Sequence, residues 1–241
     1  MKRIQAKFYH NWFAILYFNF KMLPFKQAIK LPFDFYFKVR FQDLSGKIIL
    51  NTKQLKRGIF QWGFAEHENF PREECILSIK GTLIINGEKI VFGSGSTLEI
   101  DKGAMLELND DFIIAPHTKI ILQEFIKIGS HVRIGWDTQL IDSNFHYLRN
   151  VLTGEIKKRT NPVLIGSFCW IGNHVSINKG TILPDHTIVA ANSVCNKDYS
   201  KISRYSTLAG IPAKEVANGL ERIFESLEPN LINELIIRDT Y

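Results

Sequence analysis

From Asp142 to Pro162 the chain reads Asp-Ser-Asn-Phe-His-Tyr-Leu-Arg-Asn-Val-Leu-Thr-Gly-Glu-Ile-Lys-Lys-Arg-Thr-Asn-Pro, and the apolar order on either side of it stops. A long irregular segment inside a compact array is usually functional or disordered. His146 stands near its start. An imidazole titrates at about pH 6.5, so near neutrality it can take a proton from a reacting group and return it later. A lone loop histidine is otherwise an ordinary solvated residue; its place at the end of a regular array marks this one. Asp142 and Asn144 are the candidates for holding its other ring nitrogen, and both are also good turn residues. The three cysteines, Cys75, Cys169 and Cys195, offer no rival nucleophile. Cys169 and Cys195 fall on positions expected to face a core, no pair has metal-ligand spacing, and buried free thiols fit a reducing compartment.

The array that must position His146 is visible after the break. An aliphatic or small apolar residue returns every sixth position at Ile165, Ile171, Ile177, Leu183, Val189 and Cys195, and four residues after the first five sit Cys169, Val175, Thr181, Thr187 and Ser193. Period six is neither helical nor the simple alternation of a half-buried strand. It fits a solenoid with three short flat sides per turn, a recognised hexapeptide architecture. Gly166, Gly172, Asn178, Pro184 and Ala190 follow the apolar positions and are read as corner residues. Before the break the period returns with slips of two, at Ile128, Ile134 and Leu140, at Leu108, Ile114, Ile120 and Ile126, and at Ile100 and Leu106. A slip of two keeps the same strand face inward.

Several blocks on this array resemble the hexapeptide-repeat, left-handed β-helix acyltransferases, in the branch of galactoside, maltose and polysaccharide O-acetyltransferases. They are Ile165-Gly166, Cys169-Trp170-Ile171-Gly172, Val189-Ala190-Ala191-Asn192-Ser193-Val194, Lys197-Asp198 and Ala209-Gly210-Ile211-Pro212-Ala213-Lys214, with Ile141-Asp142-Ser143-Asn144-Phe145-His146 upstream. The resemblance covers roughly residues 76–217. It implies left-handed coiling, which spacing alone does not fix, and acetyl transfer from acetyl-CoA to a sugar hydroxyl with His146 as general base. Some relatives carry Asp where this chain has Asn144. Trp170, Asn173, Ala191, Asn196, Lys197 and Lys214 occupy the positions that border the donor in relatives, the two lysines as point charges for CoA phosphates. Relatives assemble as homotrimers with the donor between neighbouring solenoids. Where they keep an Asn and an Asp for the sugar, this chain has Ala115 and Gln123, which implies an acceptor other than a simple galactoside. No metal is expected.

The ends differ from the array. Residues 1–60 hold twelve Lys/Arg and two Asp/Glu, while the whole chain has 30 and 24. This basic stretch is also aromatic, with Trp12, Phe13, Tyr17, Phe18, Phe20, Phe25, Phe33, Phe35 and Phe37 among Lys7, Lys21, Lys26, Lys30 and Lys38. Its apolar run is shorter than the roughly 20 residues a bilayer span needs, and no small-residue cleavage site follows it. It is expected to cap the solenoid or to lie on a membrane surface through residues 1–40. No nucleic-acid module accompanies the basic residues. At the other end Val216, Leu220, Ile223, Phe224 and Leu227 follow helical spacing, which predicts an amphipathic helix over residues 213–227.

The expected plan is an extension over residues 1–75, a β-helix over 76–212 with the loop 142–162, and a C-terminal helical segment over 213–241. Hydrophobic content of 45% and charged content of 22% suit a soluble protein, expected in the cytoplasm or at the inner face of its membrane. Two other readings share the solenoid: a γ-class carbonic anhydrase, whose three histidine ligands would come from His117, His131, His146, His174 and His186, and a scaffold without chemistry.

Overall fold

The computed structural model describes residues 10–64 and 72–224. Each turn of the chain lays down three short strands, and successive turns pair in parallel to make three faces around a narrow core. The first face runs Phe33–Phe35, Phe60–Phe64, Ile90–Gly93, Phe112–Ile114, Arg133–Ile134, Trp170–Ile171, Ile188–Val189 and Ser206–Gly210. The second runs Val39–Asp43, Cys75–Ile79, Thr97–Ile100, Lys119–Leu122, Gln139–Ile141, Ser176–Asn178 and Val194–Cys195. The third runs Lys47–Leu50, Thr82–Ile85, Met105–Leu108, Phe125–Ile128, Val163–Ile165 and Ile182–Leu183. This is a parallel β-helix.

The six-residue period has a local cause. Ile165, Ile171, Ile177, Leu183, Val189 and Cys195 are all buried, as are the compact residues between them. Those compact side chains fill the corners: Thr181 Oγ1 donates to the carbonyls of Asn178 (2.7 Å) and Cys195 (3.0 Å), and Thr187 Oγ1 to that of Pro184 (2.7 Å). The slips of two arise on the third face. Strands Met105–Leu108 and Phe125–Ile128 each point two residues inward, Leu106 with Leu108 and Ile126 with Ile128.

The corner chemistry differs from the sequence reading. The backbone turns left-handed three residues after each apolar position, at Phe168, His174, Gly180, His186 and Asn192, not at the residue immediately following. Non-glycine residues there carry the strain of a positive φ, which Asn and His tolerate better than most. The glycines one residue after the apolar position serve close packing instead. A Cβ on Gly166 would lie 2.5 Å from the Asp185 nitrogen of the next coil, and one on Gly172 would lie 2.7 Å from that of Ala191.

The solenoid starts far earlier than residue 76. Phe33–Phe35 pairs with Phe60–Phe64, Val39–Asp43 with Cys75–Ile79 and Lys47–Leu50 with Thr82–Ile85, all in parallel, so residues 33–64 build coils rather than an extension. The physical reason is coil length. Trp170 pairs with Ile188, an advance of 18 residues, whereas Phe33 pairs with Phe60 and Phe112 with Ile90, advances of 27 and 22. Longer corners erase the period. Large rings fill these first coils, with Trp62 stacked on Phe92 at 4.2 Å and Phe60 on Phe92 at 5.2 Å. Phe18, Phe33 and Phe35 are therefore core residues and leave the set available to a membrane.

Helix α1 (Trp12–Met22) and the short helix α2 (Phe25–Ala28) close this end of the core. Asn11 caps α1, its side-chain oxygen accepting from the Ala14 N–H at 3.0 Å. Ala14, Ile15 and Phe18 are buried on its inner side. At the far end the expected helix is absent from residues 213–224. Ala213–Asn218 is a strand that folds back antiparallel on Ser206–Gly210, and residues 219–224 have no regular structure. A strand edge offering unpaired backbone groups outweighs the weak helical spacing there. Residues 225–241, including Leu227, lie outside the described residues.

Candidate active site

His146 sits where the chain leaves the second face and before it rejoins the third. The corner beneath it is tied down by Asp142, which is fully buried. Its carboxylate accepts the backbone N–H groups of Gln123 (2.8 Å), Glu124 (2.8 Å) and Phe125 (2.9 Å) in the preceding coil. Burial raises the Asp142 carboxyl above its usual value; the three N–H groups pull it down, and the nearby Glu124 charge adds to the rise. The neck of the segment is stitched by Asn144 N–H to Arg159 carbonyl and Asn161 N–H to Asp142 carbonyl, both 2.9 Å. Lys179, one coil on, donates to the Lys158 and Arg159 carbonyls at 2.8 and 3.2 Å. Phe145, with φ of 61°, then turns the chain outward and leaves His146 exposed.

This corrects the expected partners of His146. Among the described residues no hydrogen bond or ion pair joins it to Asp142 or Asn144. Asp142 anchors the corner, since both its oxygens are taken by backbone donors. Asn144 works through its backbone while its side chain is exposed. The loop also has structure of its own: Leu148–Arg149 pairs antiparallel with Ile156–Lys157, giving a hairpin arm whose tip residues Val151 and Leu152 are 85% and 93% exposed.

The candidate donor residues fall into two groups. Trp170 lies on the first face, half-exposed, with the Arg222 guanidinium 5.5 Å from its ring. Asn173 and Ala191 occupy equivalent corners of successive coils between the first and second faces, where the Asn192 N–H donates to the Asn173 carbonyl at 3.1 Å. Lys214 is exposed on the antiparallel strand that extends the first face. Asn196 and Lys197 stand instead at the corner between the second and third faces, the same column of corners as His146. Tyr199, which the sequence did not mark, ties Lys197 to the Lys214 strand: the ammonium lies 5.3 Å from its ring, and its hydroxyl donates to the Ala213 carbonyl at 3.0 Å. Burial pushes the Tyr199 hydroxyl up to about 12, so it stays a donor.

Burial likewise pushes Cys169 and Cys195 to about 12 and Cys75 to about 11. All three are free and buried, so a thiolate nucleophile is disfavoured. The other four candidate histidines line two corners. His117 and His174 flank Asp137 between the first and second faces, at 3.4 and 3.9 Å. His131 and His186 stack on either side of Phe168 between the third and first, at 4.8 Å each. Among the described residues no group of three or more His, Cys, Asp or Glu is placed to hold a metal ion. An open cleft of about 380 Å³ lies beside His117, lined also by Glu73, Lys119, Asp137 and Gln139. It is separate from the exposed imidazole of His146. Ala115 lies at the edge of this corner, while Gln123 is engaged near Asp142, its side chain accepting from Ser143 Oγ at 2.7 Å.

No protein-family model matches the chain. Galactoside O-acetyltransferase of Escherichia coli (strain K12) is 26% identical over 114 residues, 47% of this chain and 54% of that protein. The match thus spans about half the length of that relative. The putative lipopolysaccharide biosynthesis O-acetyl transferase WbbJ of the same organism is 25% identical over 151 residues, 59% of this chain and 75% of that protein. Among solved structures, the polysialic acid O-acetyltransferase OatWY superposes with a TM-score of 0.51 at 17% identity, covering 81% of this chain and 98% of that one, a likeness of fold. The parallel three-faced solenoid and these sequence relatives make the chain similar to the hexapeptide-repeat, left-handed β-helix acyltransferases.

Proposed function

We propose that this chain is a CoA-dependent O-acyltransferase that moves an acetyl group from acetyl-CoA to a sugar hydroxyl, with His146 as general base, in the making of a surface polysaccharide. The observation that carries the reading is the exposed imidazole held at the stitched base of the arm, on a solenoid whose sequence relatives are named O-acetyltransferases. The imidazole takes the proton from the acceptor hydroxyl as its oxygen forms a bond to the thioester carbonyl carbon. The tetrahedral intermediate collapses, the carbon–sulfur bond breaks, and the imidazolium returns the proton to the departing thiolate. Release of free CoA thiol from acetyl-CoA, measured across a panel of free, nucleotide-linked and lipid-linked saccharides, tests the reading. Release stimulated by at least one saccharide is expected; none above hydrolysis across the panel would sink it.

Lys197 and Lys214 are assigned to the CoA phosphates. Both are exposed, and among the described residues neither makes an ion pair. Replacing either with alanine is expected to raise the KM for acetyl-CoA more than it lowers kcat, because a contact kept through the reaction contributes equally to ground and transition states. Dephospho-CoA donors should then discriminate less between wild type and at least one variant. An unchanged donor KM in both variants returns the lysines to the solvated surface.

The working unit is assigned as a homotrimer. Within one chain Trp170 and Lys214 belong to the first face and His146 to the corner between the second and third. Cyclic packing would make all subunits equivalent, and in this assignment the first face of one copy meets such a corner of the next. Light scattering is expected to give three times the 27.7 kDa chain mass; a stable monomer at micromolar concentration counts against the shared site.

A further inference from the structure

The end of the solenoid opposite the Lys214 strand carries an apolar face that core packing does not use. On α1 the inner side is Ala14, Ile15 and Phe18, all buried. Phe13, Leu16, Tyr17 and Phe20 follow at i, i+3, i+4 and i+7, a single stripe on the outer side, and all four are exposed, Phe13 by 80%. Phe25 and Ile29 continue this apolar surface, with the Phe25 ring 6.1 Å from that of Phe20. The terminal cap of a repeat protein needs a polar outer face if that face is to meet water. A helix apolar on all sides is normally enclosed. Here closing the core explains only the inner half.

Charge identifies the occupant. Residues 1–33 contain no Asp or Glu. Lys21, Lys26 and Lys30 stand exposed around the aromatic stripe, and among the described residues none of them makes an ion pair. Asp43, the acid bordering the groove between Tyr17 and Lys21, has its carboxylate accepting the Ser45 N–H at 2.8 Å. Aromatic rings ringed by unpaired lysines match the headgroup boundary of an anionic bilayer, where rings enter the interface and ammonium groups meet lipid phosphates. A span is excluded by length: the 11 residues of α1 reach about 16 Å, against a hydrocarbon core of about 30 Å. No described helix is long and apolar enough to cross a membrane.

We propose that the outer face of α1 and α2 is a docking surface for an anionic lipid bilayer, on which the protein sits by its first coil. The His146 corner then stands four strand spacings along the second face, about 19 Å above that coil. This assignment is independent of the acyl-transfer reading and its test needs no turnover.

The full chain is sedimented with vesicles of phosphatidylcholine alone and with about 30 mol% phosphatidylglycerol, at low and near-physiological salt. Binding is expected on the anionic vesicles only, weakening as salt rises. Each lysine at the surface is worth roughly fivefold in partitioning, so K21E/K26E/K30E is expected to lower it by about 100-fold or more. F13S/F20S/F25S is expected to abolish it with an unchanged far-ultraviolet circular dichroism spectrum. The lysine variant alters exposed charges alone, so it keeps the test decisive should the aromatic variant fail to fold. Absence of sedimentation at low salt overturns the proposal. So does equal binding to uncharged vesicles, or a lipid-free self-association of the wild type that the aromatic variant loses, which would give the face to a second copy.

Discussion

Replacing His146 with alanine is expected to reduce acetyl transfer by about 10²–10⁴-fold, the usual worth of a positioned general base, while CoA binding and the circular dichroism spectrum stay as in the wild type. The separation of chemistry from folding follows from the geometry. The imidazole is exposed, and among the described residues it makes no hydrogen bond or ion pair, so its removal leaves no buried group without a partner. A loss in kcat with an unchanged KM for acetyl-CoA marks an interaction made in the transition state only. A variant that keeps most of the wild-type turnover removes His146 from the mechanism.

Asp142→Ala is expected to act in the opposite manner, through stability first. The substitution strips one acceptor from three backbone N–H groups, those of Gln123, Glu124 and Phe125. A buried donor left unpaired costs about 1–3 kcal/mol, so a loss of roughly 3 kcal/mol or more is expected. For a chain of this length that corresponds to a fall in Tm of about 6–12 °C. Asp142→Asn keeps the shape and one acceptor oxygen, and should fall between the two. Activity should decline in both variants, because the anchor sets the corner from which His146 projects. Calorimetry together with kinetics separates this from a role in orienting the imidazole. An Asp142→Asn protein with wild-type Tm and a collapsed kcat would overturn the structural assignment.

The local sequence determined the solenoid wherever coils are short. With an advance of 18 residues per turn, every inward position and every corner recurs at the same spacing, so Ile165 to Cys195 can be read directly as core. It also marked His146, because an insertion in a strict period is visible without any knowledge of contacts. The first coils were hidden for the converse reason. Their advances of 27 and 30 residues leave no period, and the rings of Phe33, Phe35, Phe60 and Trp62 look like an amphipathic segment until parallel pairing closes around them. The helical spacing of Val216, Leu220 and Ile223 was likewise a local signal, and the open edge of Ser206–Gly210 overrode it by offering a ladder to Ala213–Asn218.

The division at the site follows the same physics. A residue type announces what chemistry it can do, so an imidazole, two lysines and three thiols could be picked out along the chain. What those groups do depends on neighbours distant in sequence. Asp142 became an anchor because Gln123, Glu124 and Phe125 present their N–H groups one coil away. The cysteines became inert because three faces exclude water from them. Lys179 stitches the arm because stacking places it over Lys158 and Arg159. Periodicity is a property of the chain; burial and pairing are properties of the coils it stacks, and those the tertiary structure alone decided.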